Sequence, residues 1–396
     1  MGISTLPGQK AAERPDARAA RARWAAPVPF LILGLVFSSY FVQIPSLKSD
    51  LGLTEGELGA FLVLPVLSGV VAMQWAGRLV ARQGSATLVR LTMLGLPLSL
   101  LGFAVCGDRV TFAVVLVVFG AVDGLMDISI NAHAVAVERA LQRRVMNSCH
   151  AAWSIGAALG SGLGAAAHHA ELSRAAHLTL IAAAQMPLAL AAGRHLLPAA
   201  ADREADQRPR ATGWRTGWTP RLLLLGLTGT VVLITGGVVG NWGGIYLHED
   251  LGASLATASL GYLGFSAFEA GVRLVGDGLQ ERLGTRRLTG ASAAVAVTGL
   301  TAVVLSPSPA AAIAGFSLLG LGMAVLVPIT LGAAGHGEGE HSAADALAKV
   351  GTLTYTGMLL GPVFIGWCAG SFGLTATLAG LLVLLSATLL VGLRRL

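Results

Sequence analysis

Twelve stretches of about 20 predominantly apolar residues, parted by short polar breaks, run through this 396-residue chain. A helix of that length reaches about 30 Å, the thickness of a bilayer's hydrocarbon core. The stretches fall at about 26–46, 57–76, 86–105, 110–137, 147–168 and 176–196, then at about 221–247, 255–276, 287–306, 309–333, 345–369 and 373–393. The fold class they predict is an all-α membrane protein with 12 transmembrane helices. Composition agrees, with 54% hydrophobic and 12% charged residues and a mean hydropathy of +0.70. A soluble domain carries about a quarter charged residues. The 52 glycines suit closely packed membrane helices.

Basic residues set the expected orientation. The tail ahead of the first stretch carries Lys10, Arg14, Arg18, Arg21 and Arg23 and lacks the pattern of a cleavable signal. With this tail cytoplasmic, only Lys48, Arg109 and Arg174 of the 27 Lys and Arg fall in outside loops, and Arg273 and Lys349 fall in spans. Both termini are therefore expected on the cytoplasmic side. The net charge of +6 reads as a topology signal and a contact with anionic lipid, and it does not suggest nucleic acid. Cys106, Cys149 and Cys368 show no metal or redox spacing and read as packing residues. Neither a cofactor nor a metal is expected, and the chain is expected to be a monomer.

An internal repeat divides the chain. Leu79, Arg82 and Gly84 after the second span match Leu279, Arg282 and Gly284 after the eighth, an offset of 200. Gly156-x3-Gly160-Ser161 in the fifth matches Gly357-x3-Gly361-Pro362 in the eleventh, an offset of 201. The expected domains are a tail over 1–25, a six-helix bundle over 26–197, a linker over 198–220 and a second six-helix bundle over 221–396. Parallel six-span repeats are typical of transporters built from two rocking halves.

The Gly-x-Leu-x-x-Arg-x-Gly segment, its echo and the 6 + 6 layout resemble the major facilitator superfamily (MFS). Gly120-x2-Asp123-x3-Asp127-x3-Asn131-Ala132-x4-Val137-Glu138-Arg139, followed by His150-Ala151-x-Trp153-Ser154-x-Gly156, is similar to a bacterial branch near the fucose-permease-like inner-membrane proteins. Asn241-Trp242-x3-Tyr246-Leu247 and Arg273-Leu274-x-Gly276-Asp277 extend the likeness. The resemblance implies two pseudo-symmetric bundles around a central cavity. It also implies a cytoplasmic gate involving Arg82, Arg273, Asp277, Glu281 and Arg282. Ala81 stands where the superfamily has an acid, and Gly236 and Asn241 stand where this branch has acids in span 7. The first departure implies a weakened charge relay in the first half, and the second shifts the weight of coupling to span 4.

Span 4 carries Asp123, Asp127 and Asn131 at four-residue spacing, all on one helical face. A carboxylate at mid-bilayer depth costs roughly 2.5–3.5 kcal/mol on insertion scales, so two of them point to a role. The aligned positions of span 10 are Ala324 and Pro328, so only the first half bears acids here. Asp123 and Asp127 are expected to couple protons; the alternative is a packing stripe satisfied by protein hydrogen bonds. His150 reads either as a proton relay to them or as an interfacial histidine. Tyr40, Gln43, Asn131, Trp153, Asn241, Trp242 and Tyr246 are candidate solute contacts, each singly compatible with packing. Glu269 reads as a solute contact or as the partner of Arg273.

The chain therefore reads as a secondary active transporter moving a small organic solute by alternating access, with protons as the coupling ion and a sugar-like or metabolite substrate. The alternative is a proton antiporter exporting a drug or secondary metabolite. The chain has neither the His-Glu-x-x-His spacing of a zinc hydrolase nor an ATP-binding Gly-x4-Gly-Lys-Ser/Thr loop. An intramembrane enzyme is therefore not expected, and a 6 + 6 repeat in one chain argues against a symmetric channel.

Overall fold

The computed structural model describes residues 17–143, 145–198, 218–335 and 343–392, and every regular element among them is helical. Most of the expected tail and nearly all of the expected linker lie outside the described residues. A short helix, α1 (Ala17–Ala25), precedes α2 (Pro27–Phe41) and α3 (Ile44–Asp50). Then come α4 (Glu55–Gln83), α5 (Ser85–Val105), α6 (Arg109–Leu141), α7 (Met146–His169) and α8 (Arg174–Gly193). After the linker, α9 (Pro220–Ile245) runs into a π-helical turn at Tyr246–Asp250. It is followed by α10 (Leu255–Leu283), α11 (Thr285–Val304), α12 (Pro309–Met323), α13 (Leu326–Gly335), α14 (Ala343–Phe372) and α15 (Leu374–Gly392). Each of the twelve expected spans falls on one of these helices or helix pairs. Nine helical runs among the described residues are long and apolar enough to cross a membrane on those grounds alone.

Two expected spans are broken, and proline explains both. Pro45 follows the break at Val42–Gln43, and Pro328 follows the break at Ala324–Val325. A proline ring collides with the carbonyl four residues earlier, here Phe41 and Ala324, and lacks the N–H that would close the turn. The Gly77–Gly84 segment, expected as a loop, is helical through Gln83, and only Gly84 leaves the helix, at φ 83°.

The repeat is visible in the backbone. Gly84 and Gly284 take φ 83° and 75° and end α4 and α10 at matching positions, while Gly52 and Gly252 take φ 57° and 69° before those helices begin. Thr54 and Ser254 cap α4 and α10, and Asp108 and Ser308 cap α6 and α12. At α4 the cap is reciprocal: Thr54 Oγ1 accepts from Glu57 N–H at 3.2 Å, and Glu57 Oε2 accepts from Thr54 N–H at 2.9 Å. Such caps satisfy amides that a helix start leaves unpaired. Asp50 pairs with Arg174 at the start of α8; at an offset of 200, Asp250 accepts from Thr375 at the start of α15.

Within the first six spans α2 packs on α7, and α4 and α8 flank α5 and α6; within the last six, α9 packs on α14 and α15, and α12 on α10 and α11. Small residues allow these approaches. A Cβ added at Gly34 would lie 2.0 Å from the Trp153 carbonyl oxygen, and one at Gly156 would lie 2.1 Å from that of Leu31. Between the two sets, α7 packs on α10 and α4 on α14. Val71, Leu91, Val114, Leu180 and Leu390 are exposed, as a lipid-facing surface requires. One end of the bundle, the termini end, holds α1, Gln83, Leu283 and Gly392. The far end holds the turns at 51–54, 106–108, 170–173 and 251–254.

Candidate functional site

The acid stripe sits on α6, which starts at the far end. Asp108 Oδ1 accepts from the N–H groups of Val110 and Thr111, both at 2.9 Å. Hydrogen bonds from the Thr111 hydroxyl and these amides hold the Asp108 carboxyl below the usual carboxylate range. Fifteen residues on, about 22 Å along the axis, is Asp123. Asp123, Asp127 and Asn131 are half-buried. Asn131 Nδ2 donates to the Asp127 carbonyl oxygen at 2.8 Å and to Asp127 Oδ1 at 3.1 Å. Asp123 has no protein hydrogen-bond partner among the described residues. The helix is held here by Gly120 and Gly124, whose added Cβ atoms would lie 2.0 Å from the Pro65 carbonyl oxygen and 2.3 Å from that of Gly69 on α4. At about 100° per residue, Asp127 and Asp123 lie about 60° and 100° around the helix from Gly124 in the same sense, so both acids sit to one side of a rigid backbone contact.

A second polar group crosses between the two sets of spans. On α10, Arg273 Nη2 donates to Glu269 Oε1 at 2.8 Å. Arg273 Nη1 donates to Ser154 Oγ on α7 at 2.5 Å, and Ser154 Oγ lies 3.4 Å from Glu269 Oε2. The guanidinium also lies 5.7 Å from the centre of the Trp153 ring, within the range of a cation–π contact. Ser154 is completely buried, and Glu269 is 6% exposed. Burying a carboxylate this deeply requires a paired cation and further hydrogen bonds, and Arg273 and Ser154 supply them. One turn before Ser154, the His150 ring meets Phe30 edge-on with centroids 5.4 Å apart. Arg273 takes Glu269 as its ion-pair partner, one of the two readings of Glu269 given above; the side chain of Asp277, the acid of the expected gate, lies outside those described.

Other candidates lie elsewhere. Tyr40 is buried among Phe103 and Phe119 of its own half, with ring centroids at 4.7 and 5.5 Å, and its hydroxyl has no partner. Gln43 Nε2 lies 2.9 Å from His177 Nδ1 and 3.5 Å from His168 Nε2, tying the α2–α3 break to α8 and α7. Trp242 is buried with its indole N–H unpaired. Tyr246 donates to the Val303 carbonyl oxygen at 2.9 Å, against α11. Asn241 is half-buried and donates back to the Gly237 carbonyl oxygen at 2.9 Å. Arg82, Glu281 and Arg282 are exposed and form no ion pair among the described residues. The structure thus brings together Trp153, Glu269 and Arg273, and separately Asp127 with Asn131. It does not bring Tyr40, Gln43, Trp242 or Tyr246 to either group.

The far end holds what sequence reasoning missed. The three cations read there only as loop charges are all engaged. Arg109 Nη1 lies 2.7 Å from Glu57 Oε1, and Arg174 pairs with Asp50. Lys48 Nζ lies 3.1 Å from Glu55 Oε1 and 2.5 Å from Glu249 Oε2, and Glu249 belongs to the other set of spans. Nearby, Ser161 Oγ on α7 donates to the Ser259 carbonyl oxygen on α10 at 2.9 Å. Phe41 meets Tyr262 edge-on at 5.1 Å. A Cβ at Gly59 of α4 would lie 2.7 Å from Gly366 Cα of α14. No motif signals these contacts; the run His248-Glu249-Asp250 closing span 7 is the only sequence hint.

The described family model "Major Facilitator Superfamily" matches residues 29–334. An uncharacterized transporter, y4wD, of Sinorhizobium fredii is 29% identical over 342 residues, 86% of this chain and 89% of that protein. Membrane protein MosC of Rhizobium meliloti is 29% identical over 378 residues, 94% of this chain and 87% of that protein. Among solved structures, a mutant of the nucleoside transporter NupG superposes with a TM-score of 0.76 at 12% identity, covering 96% of this chain and 99% of that one. A bacterial homologue of the human lysosomal transporter Spinster, inward-facing and occupied, superposes at 0.72 with 13% identity, covering 96% and 98%. At such identities these structures establish the fold alone. The family match, spread over most of a helical chain with apolar spans, shows that the chain belongs to the major facilitator superfamily and is a multi-pass membrane transporter.

Proposed function

We propose that this transporter moves a small organic solute across the bacterial inner membrane by alternating access, coupled to protons at Asp123 and Asp127. The observation that carries the reading is the pair of half-buried carboxylates in the middle of α6, with Asp123 unpartnered among the described residues. A carboxylate left unpaired at that depth is costly, and intramembrane acids of this kind mark ion and solute pathways. Asp127, steadied by Asn131, is one helical turn away on the same face; the two carboxylates share no hydrogen bond, so a proton passing between them would travel through water.

The two halves, 26–197 and 221–396, move against each other about the solute, and both termini lie in the cytoplasm. Basic residues concentrated at the termini end support that orientation. The far end is then the outer face, closed in the state described. Trp153, Glu269 and Arg273 meet the solute where the halves join, and Asn131 meets it from α6. Arg82, Asp277, Glu281 and Arg282 act at the cytoplasmic mouth.

The test is transport by the purified protein in liposomes. Asp127→Asn and the double variant Asp123→Asn/Asp127→Asn should lose accumulation driven by an imposed pH gradient. They should keep saturable counterflow, which needs solute binding but no proton movement. Accumulation by the double variant at the parent level would refute the assignment.

A further inference from the structure

We infer that Lys48 is the outer latch of the transporter, holding the far end closed through Glu249 and passing to Glu55 when that end opens. This rests on the alternating-access reading above. Among the far-end ion pairs described, Arg109–Glu57 and Arg174–Asp50 stay within the first half, while Lys48–Glu249 joins the two halves. Two irregular segments bring the partners together. Lys48 sits on α3, set apart from α2 by the break before Pro45, and Glu249 sits on the π-helical turn at Tyr246–Asp250. Single π-helical turns are rare and cluster at functional sites.

Burial decides why three residues are needed. The Lys48 side chain is 9% exposed, whereas those of Glu249 and Glu55 are each 33% exposed. When the halves part, Glu249 can be hydrated at once, but the buried ammonium cannot be left unpaired. Glu55, on the same half, stays 3.1 Å away and keeps Lys48 neutralised. The latch therefore releases one contact rather than exposing a naked charge. Asp250, the other nearby acid, is occupied by Thr375, whose Oγ1 donates to it at 3.1 Å. The contacts around the latch (Gly59 against Gly366, and Ser161 with Ser259) would have to separate in the same movement.

The experiment uses a cysteine-free background (Cys106→Ala, Cys149→Ala, Cys368→Ala) with Ala258→Cys. That position is 3% exposed and lines a small cavity where α10 meets Phe41 and Pro45 of the first half. The rate of labelling by a membrane-impermeant maleimide is measured from the far side in intact cells, without solute. Lys48→Gln and Glu249→Gln should each raise the rate by roughly threefold or more, as loss of a partly buried ion pair implies. Glu55→Gln should leave it at or below the parent rate, because the lysine then has only Glu249. Glu57→Gln, which breaks a pair within one half, should match the parent. The exchange Lys48→Glu/Glu249→Lys should restore slow labelling, which a purely structural role would not do. Labelling of Lys48→Gln below that threefold increase overturns the latch, and faster labelling of Glu55→Gln overturns the hand-over. Failure of alternating access itself would appear instead as absent counterflow in liposomes by the parent protein.

Discussion

Removing one partner of the Arg273–Glu269 pair should cost very different amounts depending on which side is lost. Arg273→Gln leaves the Glu269 carboxylate, 6% exposed, with only the Ser154 hydroxyl at 3.4 Å. Breaking a buried pair from one side typically costs about 3–5 kcal/mol, because a charge is stranded. Glu269→Gln leaves a guanidinium with a 24% exposed side chain, its 2.5 Å bond to Ser154 and an amide oxygen where the carboxylate oxygen was. Losing the charge but not the acceptor should cost about 1–2 kcal/mol. The double variant Glu269→Gln/Arg273→Gln strands nothing and should be more stable than Arg273→Gln alone. The expected stability order is parent, Glu269→Gln, the double variant and Arg273→Gln, read from thermal unfolding in one detergent at one pH. The four proteins form a double-mutant cycle, whose coupling term isolates the pair. If Arg273→Gln is as stable as Glu269→Gln, or the double variant is the least stable of all, the pair does not neutralise a buried charge and the reasoning fails.

Four further outcomes follow from the packing and hydrogen bonding. Gly120→Ala should sharply reduce folded yield, since its Cβ would lie 2.0 Å from the Pro65 carbonyl oxygen, whereas Gly77→Ala, with nothing within 4 Å, should leave yield unchanged or improved by size-exclusion chromatography. Tyr246→Phe removes the 2.9 Å bond to Val303 and should lower stability by about 1 kcal/mol. Tyr40→Phe removes a buried hydroxyl with no partner and should be neutral or stabilising in the same melt. Thr54→Ala removes one side of the cap on α4 and should cost about 1 kcal/mol.

The spans were legible because a bilayer demands length and hydropathy, and both can be read locally. The repeat was legible because turns need particular residues: glycine recurs at 84 and 284 where φ is 83° and 75°, whatever the side chains around it do. The acid stripe stood out because a charge in an apolar run is conspicuous without its neighbours. Pocket candidates such as Tyr40, Trp242 and Tyr246 were harder. Each lies on a span the family places at the cavity, but a helix has a full circumference, and small rotations turn a side chain from cavity to core. Tyr246 turns to Val303 and Tyr40 to Phe103. Ser154 and Lys48 matter through partners 119 and 201 residues away, so nothing local marks them.

The two halves share a backbone plan, and that sharing explains why their charges differ. Where halves related by a pseudo-twofold axis meet, equivalent positions face one another. Identical residues there would set like charges together at the interface, and like charges in contact oppose closure. The backbone repeat runs at an offset of 200, seen at Gly52 and Gly252, Asp108 and Ser308, and Asp50 and Asp250. At the far-end junction the segments before Gly52 and Gly252 correspond, but one offers Lys48 and the other Glu249, 201 residues apart. At mid-depth the asymmetry takes another form: α10 carries both charges, Glu269 and Arg273, where the corresponding positions of α4 are Gly69 and Met73. In span 4 the first half keeps Asp123 and Asp127, and the corresponding place in the second half is where Pro328 breaks α12 from α13. A symmetric scaffold supplies two bodies that can rock. Its departures from symmetry place a lysine against a glutamate where those bodies meet at the far end, and both partners of the buried Arg273–Glu269 pair on one half.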